Sequence, residues 1–275
     1  MFDIIQMLNE TDADIDEFIA VLGMDKEKVL NIINSDDDEN KERLYYQYVS
    51  NNLILRESLS FYKEFFNNEC ETEEFVKNVL SMEDNTPRCM INMVRRHVCL
   101  SDDIMGIRPG RDVLGLFNLV IAIEALYLLS SSKFKNKTDI MMDFFKNYIS
   151  ESDQKFINEN TRFSYGDDIF KPIDIEQEVS EIDQEISEID QEIKIDEFAR
   201  LIYKLRCDYV HEGDFWYFSF NHSCDSWLMN DVCVKIPRIS TDIENRTIET
   251  LMTFSDVRKI IVVGLINYIK NYMHI

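Results

Sequence analysis

The chain has 275 residues, with 52 acids against 29 bases for a formal charge of −23, and only seven Gly and four Pro. That length carries one large domain, or a domain with a small appendage, and the scarcity of turn formers excludes a many-stranded sandwich, a collagen-like repeat or a disordered polymer. Spread evenly, such a charge would also disfavour a general binder of nucleic acid or anionic membrane, because phosphates need clustered Lys and Arg.

The charge is not spread evenly. Residues 1–42 hold thirteen acids and three bases, and residues 176–197 hold ten acids and one base, Lys194. These two segments account for nineteen of the net negative charges and leave −4 on the other 211 residues. The opening Met1-Phe2-Asp3-Ile4-Ile5 lacks the basic and apolar regions of a secretory signal. The most apolar stretch, Val113–Leu129, is short for a membrane span and contains Asn118 and Glu124, so a buried core helix is expected. Cys70, Cys89, Cys99, Cys207, Cys224 and Cys233 form no CxxC pair, which suits reduced thiols in a cytoplasmic protein. His222, Cys224 and Cys233 lack a fourth ligand and paired spacing, so neither a metal nor a cofactor is expected.

In chain order, Ile15, Phe18, Ile19 and Leu22 form one apolar stripe at helical spacing, and Val29, Ile32 and Ile33 form another. Gly23 can turn between them and Asp25 can cap the second helix. The pair, about 20 residues over 14–33 within a small acidic unit 1–40, is similar to a helix-turn-helix, but its second helix offers only Lys26 and Lys28 to phosphates, which disfavours DNA. Asp36-Asp37-Asp38-Glu39 reads as a solvated linker to a helical body, 41–275. From 43 to 80 the pattern is helical, with Tyr45, Tyr48, Leu53, Leu55, Leu59, Tyr62, Phe65 and Phe66 available for a core. Residues 86–112 are the most basic window, with Arg88, Arg95, Arg96, Arg108 and Arg111. A strongly apolar helix follows, from about 112 to 131.

Residues 180–193 repeat Ser-Glu-Ile-Asp-Gln-Glu-Ile twice. Ile175, Val179, Ile182, Ile186, Ile189 and Ile193 make a heptad seam within an acidic insertion, about 174–197. Its flanking acids would repel a second copy, so the seam is expected on its own body or on a basic partner. A poorly constrained, expanded insertion reads equally from the repeat. Phe215–Phe220 and Val232–Ile236 have strand composition and suggest a short β-hairpin. A last helix runs from about Ser255, a possible cap, to Tyr272.

The chemistry concentrates in Phe198–Gly213. Arg206 and His211 lie five residues apart on a helix that Gly213 ends. A guanidinium can clamp phosphate oxygens while an imidazole moves protons near neutral pH, a pairing suited to phosphodiester cleavage. Arg206 could instead be a surface residue paired with Asp208 or with the acidic repeat, and His211 a simple C-terminal cap. Glu124, inside an apolar helix, needs a partner, for which Arg206 is suited.

The segment Arg206-Cys-Asp-Tyr-Val-His211 resembles the Arg–x4–6–His signature of HEPN domains, and Leu116–Leu126 resembles the Glu-bearing apolar helix of their ApeA-like branch. The resemblance covers about 112–275; Cys207 stands where the family usually has a small polar residue. It implies an all-α, HEPN-like helical bundle that dimerises and brings two Arg–His pairs to one cleft. In active members this is a metal-independent endoribonuclease, in which the 2′-OH attacks the adjacent phosphate. Arg206 would bind phosphate and His211 act as general acid–base, with Asp208, Glu124 and Tyr209 supporting. Arg95, Arg96 and Lys204 are candidates for RNA contact. A toxin or defence role, an RNA substrate, a homodimer and an antitoxin or regulatory partner follow from the same resemblance. The alternatives are a catalytically silent HEPN-like protein- or RNA-binding module and, more weakly, a helix-turn-helix regulator.

Overall fold

The computed structural model describes Ile4 and residues 14–108, 111–130, 136–165, 191–212, 220 and 246–275. They are predominantly helical and divide into two units, Met1–Arg96 with Ile269–Ile275, and His97–Tyr268.

In the first unit, α1 (Ile15–Leu22) and α2 (Lys26–Ile33) are the predicted amphipathic pair. Gly23 turns between them at φ +64°, and an added Cβ there would lie 2.7 Å from the Leu80 carbonyl oxygen. Asp25 caps α2 by accepting the Lys28 N–H at 3.0 Å. The pair buries Phe18, Leu22, Val29 and Ile33 against Leu44 and Tyr48 of α3 (Asp38–Tyr62). The acidic run before α3 is therefore not a linker. Asp37 is its N-cap, accepting the Asn40 N–H at 3.0 Å, and Asp38 and Glu39 fill a first turn where the helix dipole favours negative charge.

A short 3₁₀ turn, Lys63–Phe65, leads to α4 (Glu69–Ser81) and α5 (Thr86–Ile107). Tyr62 is buried and donates its hydroxyl to the Ile91 carbonyl at 2.9 Å. Arg88 donates to the carbonyl of Leu80, at the end of α4, and lies 3.5 Å from that of Leu22, at the end of α1. One guanidinium thus caps two helix C-termini, and its burial pulls it below the usual arginine range. Leu53, expected in the core, is 57% exposed.

The second unit contains the end of α5, α6 (Asp112–Leu129), α7 (Lys137–Asn147), α8 (Glu151–Asn160), α9 (Ile195–Glu212) and most of α10 (Phe254–Met273). Among the described residues α6 is the one helix long and apolar enough to cross a membrane, and 61% of it is buried within the protein. It is apolar all round because α7 and α9 cover it, as a core helix requires. Gly115 lets α10 approach, since a Cβ there would lie 2.6 Å from Phe254 Cζ. Tyr127, near the end of α6, packs its ring tilted against that of Tyr268, centroids 4.7 Å apart, and donates to Asp143 at 2.6 Å. Burial, reinforced by that carboxylate, pushes the Tyr127 hydroxyl far above the usual tyrosine range. The cap of α10 is Thr253, not Ser255. Its hydroxyl accepts the Asp256 N–H at 3.1 Å while Asp256 accepts the Thr253 N–H at 2.8 Å, a reciprocal capping box.

A small antiparallel sheet was not expected from the sequence. Its order is β2-β1-β3, with β1 Thr161–Tyr165, β2 Gln191–Glu192 and β3 Arg246–Thr250. Thr161 pairs with Thr250 and Arg162 with both Glu249 and Glu192. The repeat from 180 to 190 lies outside the described residues, but its last seam position, Ile193, is buried at 1% exposure. The end of the predicted insertion, 191–197, is thus β2 and the start of α9. The predicted hairpin also lies outside the described residues, apart from Phe220, which is buried and donates its N–H to Asp112 at 2.6 Å.

Candidate active site

Helix α9 buries Phe198, Leu201, Ile202 and Leu205 along one stripe, with Phe198 edge-on to Phe145 of α7 at 5.5 Å. Glu124 of α6 meets Arg206, and Phe117, seven residues earlier, meets Tyr209, three residues later, so α6 and α9 run antiparallel. Arg206, the candidate partner for Glu124, is therefore one of the two cations that it meets. Arg206 Nε lies 3.4 Å from Glu124 Oε1 and Nη2 lies 3.5 Å from Oε2, with both side chains largely buried.

This contact is long. The Nε–Oε1 approach fails as a hydrogen bond, so both atoms are buried without one. Glu124 is held more firmly by Lys137, at the start of α7, whose Nζ lies 2.7 Å from Oε2. The sequence reading missed Lys137, because nothing local to it points at a carboxylate thirteen residues upstream. Asn136, whose side chain caps α7, was the available sign that a helix begins there.

Tyr203, one turn before Arg206, places its ring 6.0 Å from the guanidinium carbon. Burial, then a hydrogen bond with Cys207, push its hydroxyl up to about 12, and the Arg206 charge works against them. Asp208 is buried and pairs with Lys204 at 3.3 Å, not with Arg206. It neutralises one of the proposed RNA-contacting cations. Tyr209 packs edge-on to Phe117 at 5.1 Å, a packing role.

His211 is exposed in the last turn of α9 and makes no hydrogen bond or ion pair among the described residues. Five helical residues place it about 140° around the axis from Arg206 and about 7.5 Å along it. The site thus has a buried guanidinium and an open imidazole on one helix. Arg95 and Arg96 belong to the other unit. Arg95 is ion-paired with Glu57 and donates to Asn92 at 3.0 Å, while Arg96 is exposed. Among the described residues no group of three or more His, Cys, Asp or Glu is placed to hold a metal. His222, Cys224 and Cys233 lie outside those residues.

Comparison with known proteins adds no relative: no family model, no curated protein and no solved structure matches the chain.

Proposed function

We propose that the chain is a metal-independent endoribonuclease of the HEPN type, acting on RNA as a homodimer in a toxin or defence role. The observation that carries this reading is the contrast along α9. Arg206 is fixed against Glu124 yet left short of full hydrogen bonding, and five residues later His211 stands exposed with no hydrogen bond or ion pair among the described residues. Arg206 would bind a nonbridging phosphate oxygen and offset the charge that develops during attack. His211 would take the proton from the 2′-OH as it forms the bond to phosphorus. The corresponding imidazole of the second copy would give a proton to the departing 5′-oxygen as the P–O bond breaks. The products are a 2′,3′-cyclic phosphate and a 5′-hydroxyl.

The test is RNA incubated with the purified chain in EDTA, beside Arg206→Ala and His211→Ala. Cleavage by the wild type that Arg206→Ala lowers by about a hundredfold or more and His211→Ala abolishes is the expected result. RNA left equally intact by all three proteins would remove the reading.

A second reading, a catalytically silent helical module that binds a partner, is favoured by the low exposure of Arg206, 13%. There the Arg206–Glu124 pair would simply tie α9 to α6. The same assay separates the two, because that module leaves RNA intact while Arg206→Ala lowers its melting temperature.

A further inference from the structure

A surface helix ordinarily needs one apolar face; α3 has two. One packs Leu44, Tyr48 and Tyr62 into the first unit. The other points outward, with Tyr46 62% exposed, Val49 44% and Leu53 57%. At 100° per residue these three fall within about 60° of one another around the helix. The same stripe continues to Glu42 at one end and Arg56 at the other, both exposed. The spacing over 42, 46, 49, 53 and 56 is four, three, four, three, the seam pattern of a coiled coil. It spans about 21 Å of helix.

The order of the charges selects both the occupant and its direction. Laid antiparallel on itself about Val49, the seam puts Val49 on the two-fold axis and Tyr46 opposite Leu53. Glu42 then meets Arg56 at both ends. A parallel arrangement would set Glu42 against Glu42 and Arg56 against Arg56, which repel. Neither Glu42 nor Arg56 has an ion-pair partner among the described residues, whereas the neighbouring Glu57 is engaged by Arg95. A self-complementary patch of this kind is what a two-fold interface requires.

We infer that the exposed face of α3 is a docking surface for a second copy of this chain, paired antiparallel through Tyr46, Val49 and Leu53 and closed at each end by Glu42 and Arg56. It lies in the first unit and is independent of any pairing through Arg206 and His211.

Sedimentation equilibrium of the full chain, with helix content checked by circular dichroism, tests this in four proteins. The wild type should associate in a concentration-dependent way. Glu42→Arg and Arg56→Glu should each weaken association by about tenfold, because each places like charges at both ends of the seam. The double variant Glu42→Arg/Arg56→Glu should recover the wild-type constant, which a merely structural role would not produce. A wild type that stays monomeric to about 0.1 mM overturns the inference. So does association indifferent to both single reversals, which would place the contact elsewhere. Single variants that weaken with no recovery in the double variant overturn the antiparallel pairing.

Discussion

Among the described residues of the second unit, two arginine–carboxylate contacts join helices, and they differ in quality. Arg258 of α10 grips Asp102 of α5 with Nε 2.6 Å from Oδ1 and Nη2 2.8 Å from Oδ2, the parallel fork that makes such pairs strong. Arg206 approaches Glu124 at 3.4 and 3.5 Å, while Lys137 takes the better position on the same carboxylate. Arg258 is committed to its partner. Arg206 is oriented by its partner but not saturated by it. A guanidinium in that state retains the capacity to bind an anion, which is what distinguishes a functional arginine from a structural one under the proposed reading.

The largest effect that could break this contrast is catalytic. Arg206→Ala should lower RNA cleavage by about a hundredfold or more, as loss of a transition-state charge partner does. Arg258→Ala should leave cleavage per folded molecule unchanged, both read from initial rates on one labelled RNA. In stability the order reverses. Arg258→Ala should cost about 1–3 kcal/mol in urea denaturation, because it strands a partly buried carboxylate that accepts two charged hydrogen bonds.

Glu124→Gln sharpens the point. It keeps the shape of the side chain but removes the charge that orients both Arg206 and Lys137. Cleavage should fall about tenfold, an effect of positioning, while the loss from Arg206→Ala remains larger. Equal losses from the two substitutions would mean that Arg206 acts only through Glu124.

The smallest effect concerns the end of α6 beyond Glu124. Tyr127 has its folded-state pKa raised, so its contribution to stability is complete below about pH 10 and is lost as pH climbs above that value. Tyr127→Phe should therefore flatten the alkaline fall of the urea midpoint, at a cost of about 1 kcal/mol near neutrality from the lost bond to Asp143. An unchanged alkaline slope in the variant would assign that fall to other groups.

What the sequence disclosed divides along physical lines. Periodicity located α1, α2, α6, α9 and α10, because a one-sided or all-round apolar pattern is written in consecutive residues. The Glu124–Arg206 pair was legible too, since a carboxylate in an apolar helix needs a partner. Lys137 and the sheet were not. Both depend on contacts across long separations, such as Thr161 with Thr250, that no local pattern encodes. The acidic run at 36–39 is solvated as read, but it is not a linker, because Asp37 caps a helix that Asp38 and Glu39 begin. Leu53 misled because a helix with two apolar faces looks, in sequence, like one with a wide core face.

The proposed cleavage of RNA by Arg206 and His211 proceeds through attack by the 2′-OH. Its most direct measurement is the chemistry of the cut ends in EDTA, on an RNA and on the same RNA carrying one 2′-deoxy nucleotide at the mapped site. The expected products are 2′,3′-cyclic phosphate and 5′-hydroxyl ends, with no cleavage at the deoxy position and none anywhere with His211→Ala. Cutting at the deoxy position, or cutting that persists in His211→Ala, would contradict it.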